Sequence, residues 1–266
     1  MSMKPKALVL LAHGTNRDQD VAEALTLCDA DPEIIPLNTL RSGIKSWSDF
    51  QMLVLPGGFS YADALGAGKL LAIDLQSYFT DEIQKFVVAG KPVIGICNGF
   101  QALVKSDILP GANRDLRMER NEERATLTFN AQGHFECRWV TLRPVSQKCI
   151  WTKGLSELIE CPIAHGEGNF QVSGQFLLTT LSSHDQIALT YVSPNGMSAN
   201  GAYPANPNGS MLDIAGICNP AGNVLGLMPH PENHIHAWQH PQWMRGVVRN
   251  SGLLLFKNGV KYAEEG

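Results

Sequence analysis

The stretch "KPVIGICNGFQALV" (91–104) places Cys97 at a break between two apolar runs, with Gly95 before it and Gly99 after it. This G-x-C-x-G pattern is the cysteine counterpart of the nucleophile elbow, in which a strand turns sharply into a helix and displays a nucleophile. A helix start favours the reactive thiolate of Cys97, and the backbone N–H of Asn98 would face the oxyanion of a tetrahedral intermediate. The pattern alone leaves open a buried, inert cysteine, because free cysteines are often buried.

A second polar stretch, "MPHPEN" (228–233), supplies a histidine and a carboxylate. Pro231 favours an extended conformation of His230, and residues two apart in an extended segment, here His230 and Glu232, point the same way. A carboxylate beside an imidazole fixes its tautomer and stabilises its protonated form, as a base next to a thiol requires. Taken alone, such a pair is also typical of a protein surface.

A cluster of histidines in the same region raises the alternative of a metal site: His230, His234, His236 and His240. The segment "HPENH" is not the H-E-x-x-H helix motif of zinc proteases. Pro231 and Pro241 also interrupt any helix that would align the ligands. We therefore predict no metal in this chain.

Two glycine-rich stretches complete the set of candidate site segments. "PGGFSYAD" (56–63) follows a predicted strand, and an amide of Gly57 or Gly58 would supply a second oxyanion donor. "PIAHGEGNF" (162–170) sets His165 and Glu167 among glycines, a composition that suits a loop close to a polar ligand. A plain turn is the alternative for both stretches.

The order of apolar runs predicts how these segments are positioned. Strands are predicted at 6–14, 32–38, 50–58 and 91–96, with helices at 18–30, 70–90 and 99–109 between or after them. Alternation of this kind predicts an α/β fold with a mostly parallel sheet covered by helices on both faces. Ligands bind at the carboxyl ends of such strands, where the candidate segments lie. Beyond residue 125, alternating patterns that include 175–193 predict an antiparallel elaboration of one domain, 1–266.

Composition excludes several classes of function. A net charge of −4 over 266 residues gives no general attraction to nucleic acid or anionic membranes. No apolar run approaches the length of a membrane span, and the N-terminal run is too short for a signal peptide core. The six cysteines include no C-x-x-C pair. We therefore expect a cytoplasmic protein with reduced thiols.

The motifs taken together resemble those of a known family. "PGGFSYAD", "GICNGFQAL", "FECRWV", "PIAHGEGNF", "NPNGS" and "GLMPHPEN" follow one another in a single order along the chain. This combination, over residues 6–262, resembles the class I (triad) glutamine amidotransferases, and among them the glutaminase components of phosphoribosylformylglycinamidine synthase. The resemblance implies a flavodoxin-like fold.

The resemblance also implies a reaction and its residues. Glutamine would be hydrolysed through a cysteinyl thioester, and its ammonia delivered to a synthetase subunit that uses ATP and magnesium in purine biosynthesis. No cofactor would bind this chain, and the need for a small accessory subunit stays open. The resemblance implies a catalytic triad of Cys97, His230 and Glu232. It implies that the oxyanion and substrate-binding positions are Gly57, Gly58, Asn98 and Gln101.

The chain departs from the family pattern at Asn169, Gln132 and His134, which leaves partner contacts or regulation open there. Three alternatives also stay open. The first is a class I amidotransferase that serves another synthetase, and the second is a catalytically idle regulatory subunit of the same fold. The third is a cysteine hydrolase of another amide or ester. The intact Cys97, His230 and Glu232 argue against the idle subunit.

Overall fold

A computed structural model describes residues 4–111, 123–246 and 251–265. Its strands are β1 (Lys6–Leu11), β2 (Asp31–Pro36), β3 (Met52–Leu55), β4 (Val93–Ile96), β5 (Ala125–Thr128), β6 (Glu136–Pro144), β7 (Ile159–His165), β8 (Asn169–Val172), β9 (Ile187–Val192), β10 (Ile214–Cys218) and β11 (Val224–Leu227). Its helices are α1 (Asp18–Leu27), α2 (Leu37–Arg41), α3 (Lys69–Tyr78), α4 (Thr80–Val88), α5 (Asn98–Lys105), α6 (Gln175–Ser183) and α7 (Leu253–Glu265).

Nine of these strands form one mixed sheet in the order β2-β1-β3-β4-β11-β10-β9-β6-β7, and β5 pairs with β8 separately. The pairs from β2 to β11 are parallel, and those from β11 to β7 are antiparallel. The predicted α/β fold with a parallel sheet and an antiparallel elaboration is confirmed. The antiparallel part is as long as the parallel part, with four strand pairs in each.

Continuous apolar sequence explains the centre of the sheet. Every residue of β3 and β4 is buried, so both faces of these strands are covered. This confirms the prediction, from unbroken apolar runs, that these are buried parallel strands. One hydrophobic core joins these strands to the helices around them.

Two local predictions are wrong. The segment 175–183 was expected to continue an antiparallel strand, but it forms α6, because Leu177, Leu178 and Leu181 follow helical spacing and are buried together. The helix expected over 70–90 is two helices, α3 and α4, that meet at Phe79. Phe79 is itself buried, so the break places this ring in the core.

The topology brings the candidate segments to one edge of the sheet. Strands β3, β4 and β11 are parallel neighbours, so their carboxyl ends lie side by side. Gly57 follows the first of these strands, Cys97 the second and His230 the third. In the described residues, no helix is long and apolar enough to cross a membrane.

Candidate active site

Cys97 occupies the sharp corner between β4 and α5 that the sequence predicted. Its backbone has φ 50° and ψ −105°, a conformation that side-chain-bearing residues rarely adopt. A Cβ at Gly95 would lie 2.5 Å from Leu103 Cδ1, and one at Gly99 would lie 2.0 Å from the carbonyl oxygen of Leu55. Both flanking positions therefore require glycine. Strain of this kind is found where a structure holds a functional residue in place.

His230 and Glu232 form a buried pair. The ring Nδ1 of His230 donates to Glu232 Oε1 at 2.6 Å, and Glu232 is fully buried. The pairing was predicted from an extended segment, but Pro231–Asn233 is a single 3-10 turn. The predicted pairing is thus present, although the turn, and not an extended backbone, brings the two side chains together.

Glu232 and Cys97 control the charge of His230. Burial by itself lowers the pKa of His230, but the carboxylate of Glu232 and the thiolate of Cys97 together raise it to about 10. The Cys97 sulfur itself lies 3.8 Å from the carbonyl oxygen of Ala164 in β7. Because Glu232 takes Nδ1, the other ring nitrogen is left for the sulfur. The arrangement supports a positively charged imidazolium at His230 at neutral pH.

His165, at the end of β7, is a second buried histidine of this region. Burial, together with the smaller effect of the positive charge of His230, lowers the pKa of His165 to about 3. Its Nδ1 lies 3.1 Å from Asn130 Oδ1, which also accepts the backbone N–H of Gly168 at 3.0 Å. Since that oxygen is an acceptor, the proton of the neutral ring is on Nδ1.

Gly57 and Gly58 form the wall opposite the cysteine elbow. A Cβ at Gly57 would lie 2.6 Å from His230 Cε1 and 3.4 Å from Cys97 Cβ. Gly58 has φ 136°, and a Cβ there would lie 2.7 Å from the backbone nitrogen of Asn16. The two glycines therefore let this loop approach the His–Cys pair on one side and the loop after β1 on the other.

Asn98 ties the elbow to the glycine loop through its side chain. Its Oδ1 accepts the backbone N–H of Ser60 at 3.2 Å, and its Nδ2 lies 3.0 Å from Asp63 Oδ1 and 3.1 Å from Gln101 Oε1. Gln101 in turn donates from Nε2 to the carbonyl oxygen of Glu167 at 2.7 Å. This network joins α5, the glycine loop and the turn after β7.

A cavity of about 170 Å³ lies at the centre of this network. It is smaller than the roughly 300–1,000 Å³ of drug-sized ligand pockets, and therefore suits a ligand the size of an amino acid. Its lining includes five residues that were singled out from the sequence and one, Asp63, that was not: Gly58, Asp63, Cys97, Gln101, His165 and Glu167.

Of the seven sequence-predicted residues, Gly58, Cys97 and Gln101 line the cavity. Gly57 and His230 lie against Cys97 or each other, Asn98 is hydrogen-bonded to Gln101, and Glu232 lies behind His230. Asp63 and Asn130 were not singled out from the sequence. The end of the quoted stretch "PGGFSYAD" carried Asp63, but an aspartate in a turn gives no separate signal.

The histidine cluster that raised a metal alternative does not converge. Within the residues that the structure describes, no group of three His, Cys, Asp or Glu side chains could hold a metal ion. His234 and His240 pack their rings edge-on against Trp139, with ring centroids 5.0 Å away in both cases. His236 lies 2.7 Å from Glu23.

The three departures from the family pattern lie beside this site. The Nε2 of His134 lies 2.9 Å from Oε1 of the buried Glu136, and its other ring nitrogen lies 3.1 Å from the carbonyl oxygen of Gln132. Asn169 accepts a hydrogen bond from Gln171 at 2.7 Å. None of the three lines the cavity.

The fold and the site define a class of protein. A cysteine elbow beside a buried His–Glu pair, at the carboxyl edge of an α/β sheet, is the arrangement of a triad amidotransferase. A model of the CobB/CobQ-like glutamine amidotransferase domain matches residues 4–263. The chain belongs to this family.

Individual relatives cover the whole chain. Phosphoribosylformylglycinamidine synthase subunit PurQ of Treponema denticola is 58% identical over 268 residues, which span 98% of this chain and 99% of that protein. The PurQ subunit of Dehalococcoides mccartyi is 39% identical, with the same coverage of each chain. A chain from the structure of PurLQS from Thermotoga maritima is 30% identical and superposes with a TM-score of 0.73, over 98% of this chain and 99% of that one.

Proposed function

We propose that this protein is the glutaminase subunit of a phosphoribosylformylglycinamidine synthase. It hydrolyses glutamine at Cys97 and delivers the ammonia to an ATP-dependent synthetase subunit. The observation that carries the proposal is the strained Cys97 beside the His230–Glu232 pair in an amino-acid-sized cavity. Similarity to PurQ subunits over nearly the full length of both chains supports this choice of synthetase over others.

The reaction begins at the thiolate–imidazolium pair. The Cys97 sulfur adds to the carboxamide carbon of glutamine, and the carbonyl oxygen becomes an oxyanion. We assign its hydrogen-bond donors to the backbone N–H groups of Gly58 and Asn98. Gly58 lines the cavity, and Asn98 is the first residue of α5, where backbone N–H groups lack partners within the helix.

His230 moves the protons of both half-reactions. The imidazolium gives its proton to the departing nitrogen, and the C–N bond breaks. Ammonia is released, and a glutamyl thioester remains on Cys97. Neutral His230 then takes a proton from water, whose oxygen adds to the thioester carbon. The C–S bond breaks, glutamate leaves, and the thiolate–imidazolium pair is restored. Gln101 supports the wall that receives the substrate.

Glu232 acts through His230. Its position 2.6 Å from Nδ1, with no exposure to solvent, gives a charge-assisted hydrogen bond that holds the ring and favours its protonated form. We therefore assign Glu232 as a positioning residue that also stabilises the charge of His230.

The proposal extends to partners, cofactors and location. We propose that ATP and magnesium act at the synthetase subunit, and that a small accessory subunit joins the assembly. Residues 1–266 form one amidotransferase domain in this proposal, supported by the family match over 4–263. The six cysteines are all free thiols, which supports a reducing, cytoplasmic location.

Labelling by a glutamine-like electrophile tests the proposal. We expect intact-mass analysis to show one adduct at Cys97, suppressed by added glutamine. The exposed Cys137 is a control, because its labelling would not respond to glutamine. Absence of a Cys97 adduct, even with the synthetase, ATP and its nucleotide substrate present, would contradict the proposal and favour an idle regulatory subunit.

A further inference from the structure

Asp63 lies in the cavity at the end of a strained turn. Three consecutive residues, Tyr61, Ala62 and Asp63, have φ of 55°, 55° and 51°, although none of them is glycine. The turn is held by the Tyr61 hydroxyl, which donates to Asp74, and by the Tyr61 backbone N–H, which donates to the carbonyl oxygen of His13 at 2.6 Å. Left-handed conformations at side-chain-bearing residues are costly, and they persist where the surrounding structure holds a functional group in place.

The side chains of Gln101 and Glu167, which also line the cavity, already have partners. Gln101 uses its oxygen with Asn98 and its nitrogen with the carbonyl oxygen of Glu167. The carboxylate of Glu167 accepts the backbone N–H of Ala67 at 3.2 Å and pairs with Lys105 at 3.4 Å. His165 stays neutral, because burial lowers its pKa to about 3.

Asp63 has no such compensation. Its Oδ1 accepts two uncharged donors, Asn98 Nδ2 at 3.0 Å and the Gly68 backbone N–H at 3.3 Å. No hydrogen bond or ion pair to Asp63 Oδ2 exists within the described part of the chain. Burial raises the pKa of Asp63 above its usual value, and the two hydrogen bonds and Lys105 do not offset it. Two carboxylates thus face the single ammonium of Lys105, which pairs with Glu167.

We propose that Asp63 binds the α-ammonium group of the substrate and so selects amides of amino acids over other primary amides. A cationic group is the ligand that an uncompensated carboxylate in a small, half-buried cavity favours. In glutamine, the α-ammonium and the reacting carboxamide lie at opposite ends of one short chain. Asp63 and Cys97 line the same cavity and would contact one end each. This inference rests on the proposed function and specifies its substrate recognition.

Two ligands that differ only at the α-carbon test the inference. Binding of glutamine and of 4-carbamoylbutanoate, in which hydrogen replaces the α-ammonium, would be measured by calorimetry on Cys97→Ala protein. We expect Asp63→Asn to weaken glutamine binding at least about tenfold, the order of one charge-assisted hydrogen bond. Binding of 4-carbamoylbutanoate should change less than about twofold.

Asp74→Asn is the matched control, since it makes the same chemical change at the residue that holds the turn but does not line the cavity. Equal weakening of both ligands by Asp63→Asn would show that Asp63 only supports the turn, and would overturn the inference, as would unchanged glutamine binding. Should Asp63→Asn fail to fold, the inference is still tested by comparing the two ligands on the protein with Asp63 intact. It must itself bind glutamine at least about tenfold more tightly than 4-carbamoylbutanoate.

The proposed function is tested separately, by glutamine hydrolysis of the chain with Cys97 intact, assembled with its synthetase subunit. Absence of glutamine hydrolysis in this assembly would contradict the glutaminase proposal. The dependence of binding on Asp63 would still be measurable, so the two failures are distinguishable.

Discussion

Two regions of the active site hold a buried histidine, and they hold it in opposite charge states. His230 in the turn after β11 and His165 at the end of β7 are each 3% exposed. Burial disfavours the charged form of both rings, yet the pKa of His230 is raised to about 10 while that of His165 is lowered to about 3.

The largest difference lies in the group that faces Nδ1 of each ring. His230 meets the carboxylate of Glu232, and His165 meets the uncharged carboxamide of Asn130. A full negative charge in a buried site outweighs the cost of burying the imidazolium, and a neutral acceptor does not. Equal burial therefore gives a proton donor in one region and a neutral ring in the other.

Removing the thiolate is expected to have the largest effect on this comparison. Cys97→Ala should abolish glutamine hydrolysis, with a loss of about 10⁴-fold or more, because the nucleophile is absent. The pKa of His230 should fall from about 10, since one of its two negative neighbours is gone. Glutamate release and histidine NMR titration measure both effects. Cys137→Ala changes an exposed cysteine and should leave the activity unchanged, whereas hydrolysis by Cys97→Ala would refute the role of the thiol.

Glu232→Gln is expected to have the next largest effect, because it makes the surroundings of His230 resemble those of His165. We expect kcat/KM to fall about 10³-fold or more, by analogy with loss of the acid in other triads. The pKa of His230 should fall, which shrinks the imidazolium population at neutral pH. A pH–rate profile and an NMR titration would show this. Glu23→Gln removes the carboxylate from the surface pair with His236 and is the control, expected to retain full activity.

Asn130→Asp makes the converse change by placing a carboxylate against His165. We expect the pKa of His165 to rise by at least about one unit, equivalent to about 1.4 kcal/mol. The aspartate would also lose the Nδ2 donor that now bonds the carbonyl oxygens of His134 and His165, so stability should fall by about 1–3 kcal/mol. An unchanged His165 titration in a folded variant would mean that burial alone determines its charge.

The smallest effect is expected in acid stability. The folded pKa of His165, about 3, lies below its ordinary value of 6.5, so its contribution is complete above about pH 6.5 and is lost as the pH falls towards 3. This amounts to about 1 kcal/mol between about pH 6 and about pH 5. In His165→Gln, the free energy of unfolding should therefore fall by about 1 kcal/mol less between these pH values, as measured by denaturant titrations. The exposed His184 provides the control: His184→Gln should leave the slope unchanged, and an equally steep limb in both variants would contradict the assignment.

Sequence reasoning predicted the elements that carry local signals. The elbow at Cys97 was predictable because apolar residues, glycines and a helical pattern follow one another within a few positions. The strand predicted over 175–183 was wrong because the mixture of apolar and polar residues there has helical and not alternating spacing, with Leu177, Leu178 and Leu181 on the buried face. Asp63 was missed since its significance depends on which neighbouring charges are neutralised, and Lys105 and Glu167 lie far along the chain.

By itself, the sequence determined the family, the parallel sheet and the identities of the residues that meet at its carboxyl edge. These follow from short motifs and from the periodicity of apolar residues, which are properties of neighbouring positions. Only the tertiary structure decided which buried histidine carries a charge. Cys97 and His230 follow different strands, and Asn130 lies 35 residues before His165. A pKa depends on distances through space between such residues, and those distances exist only after the chain has folded.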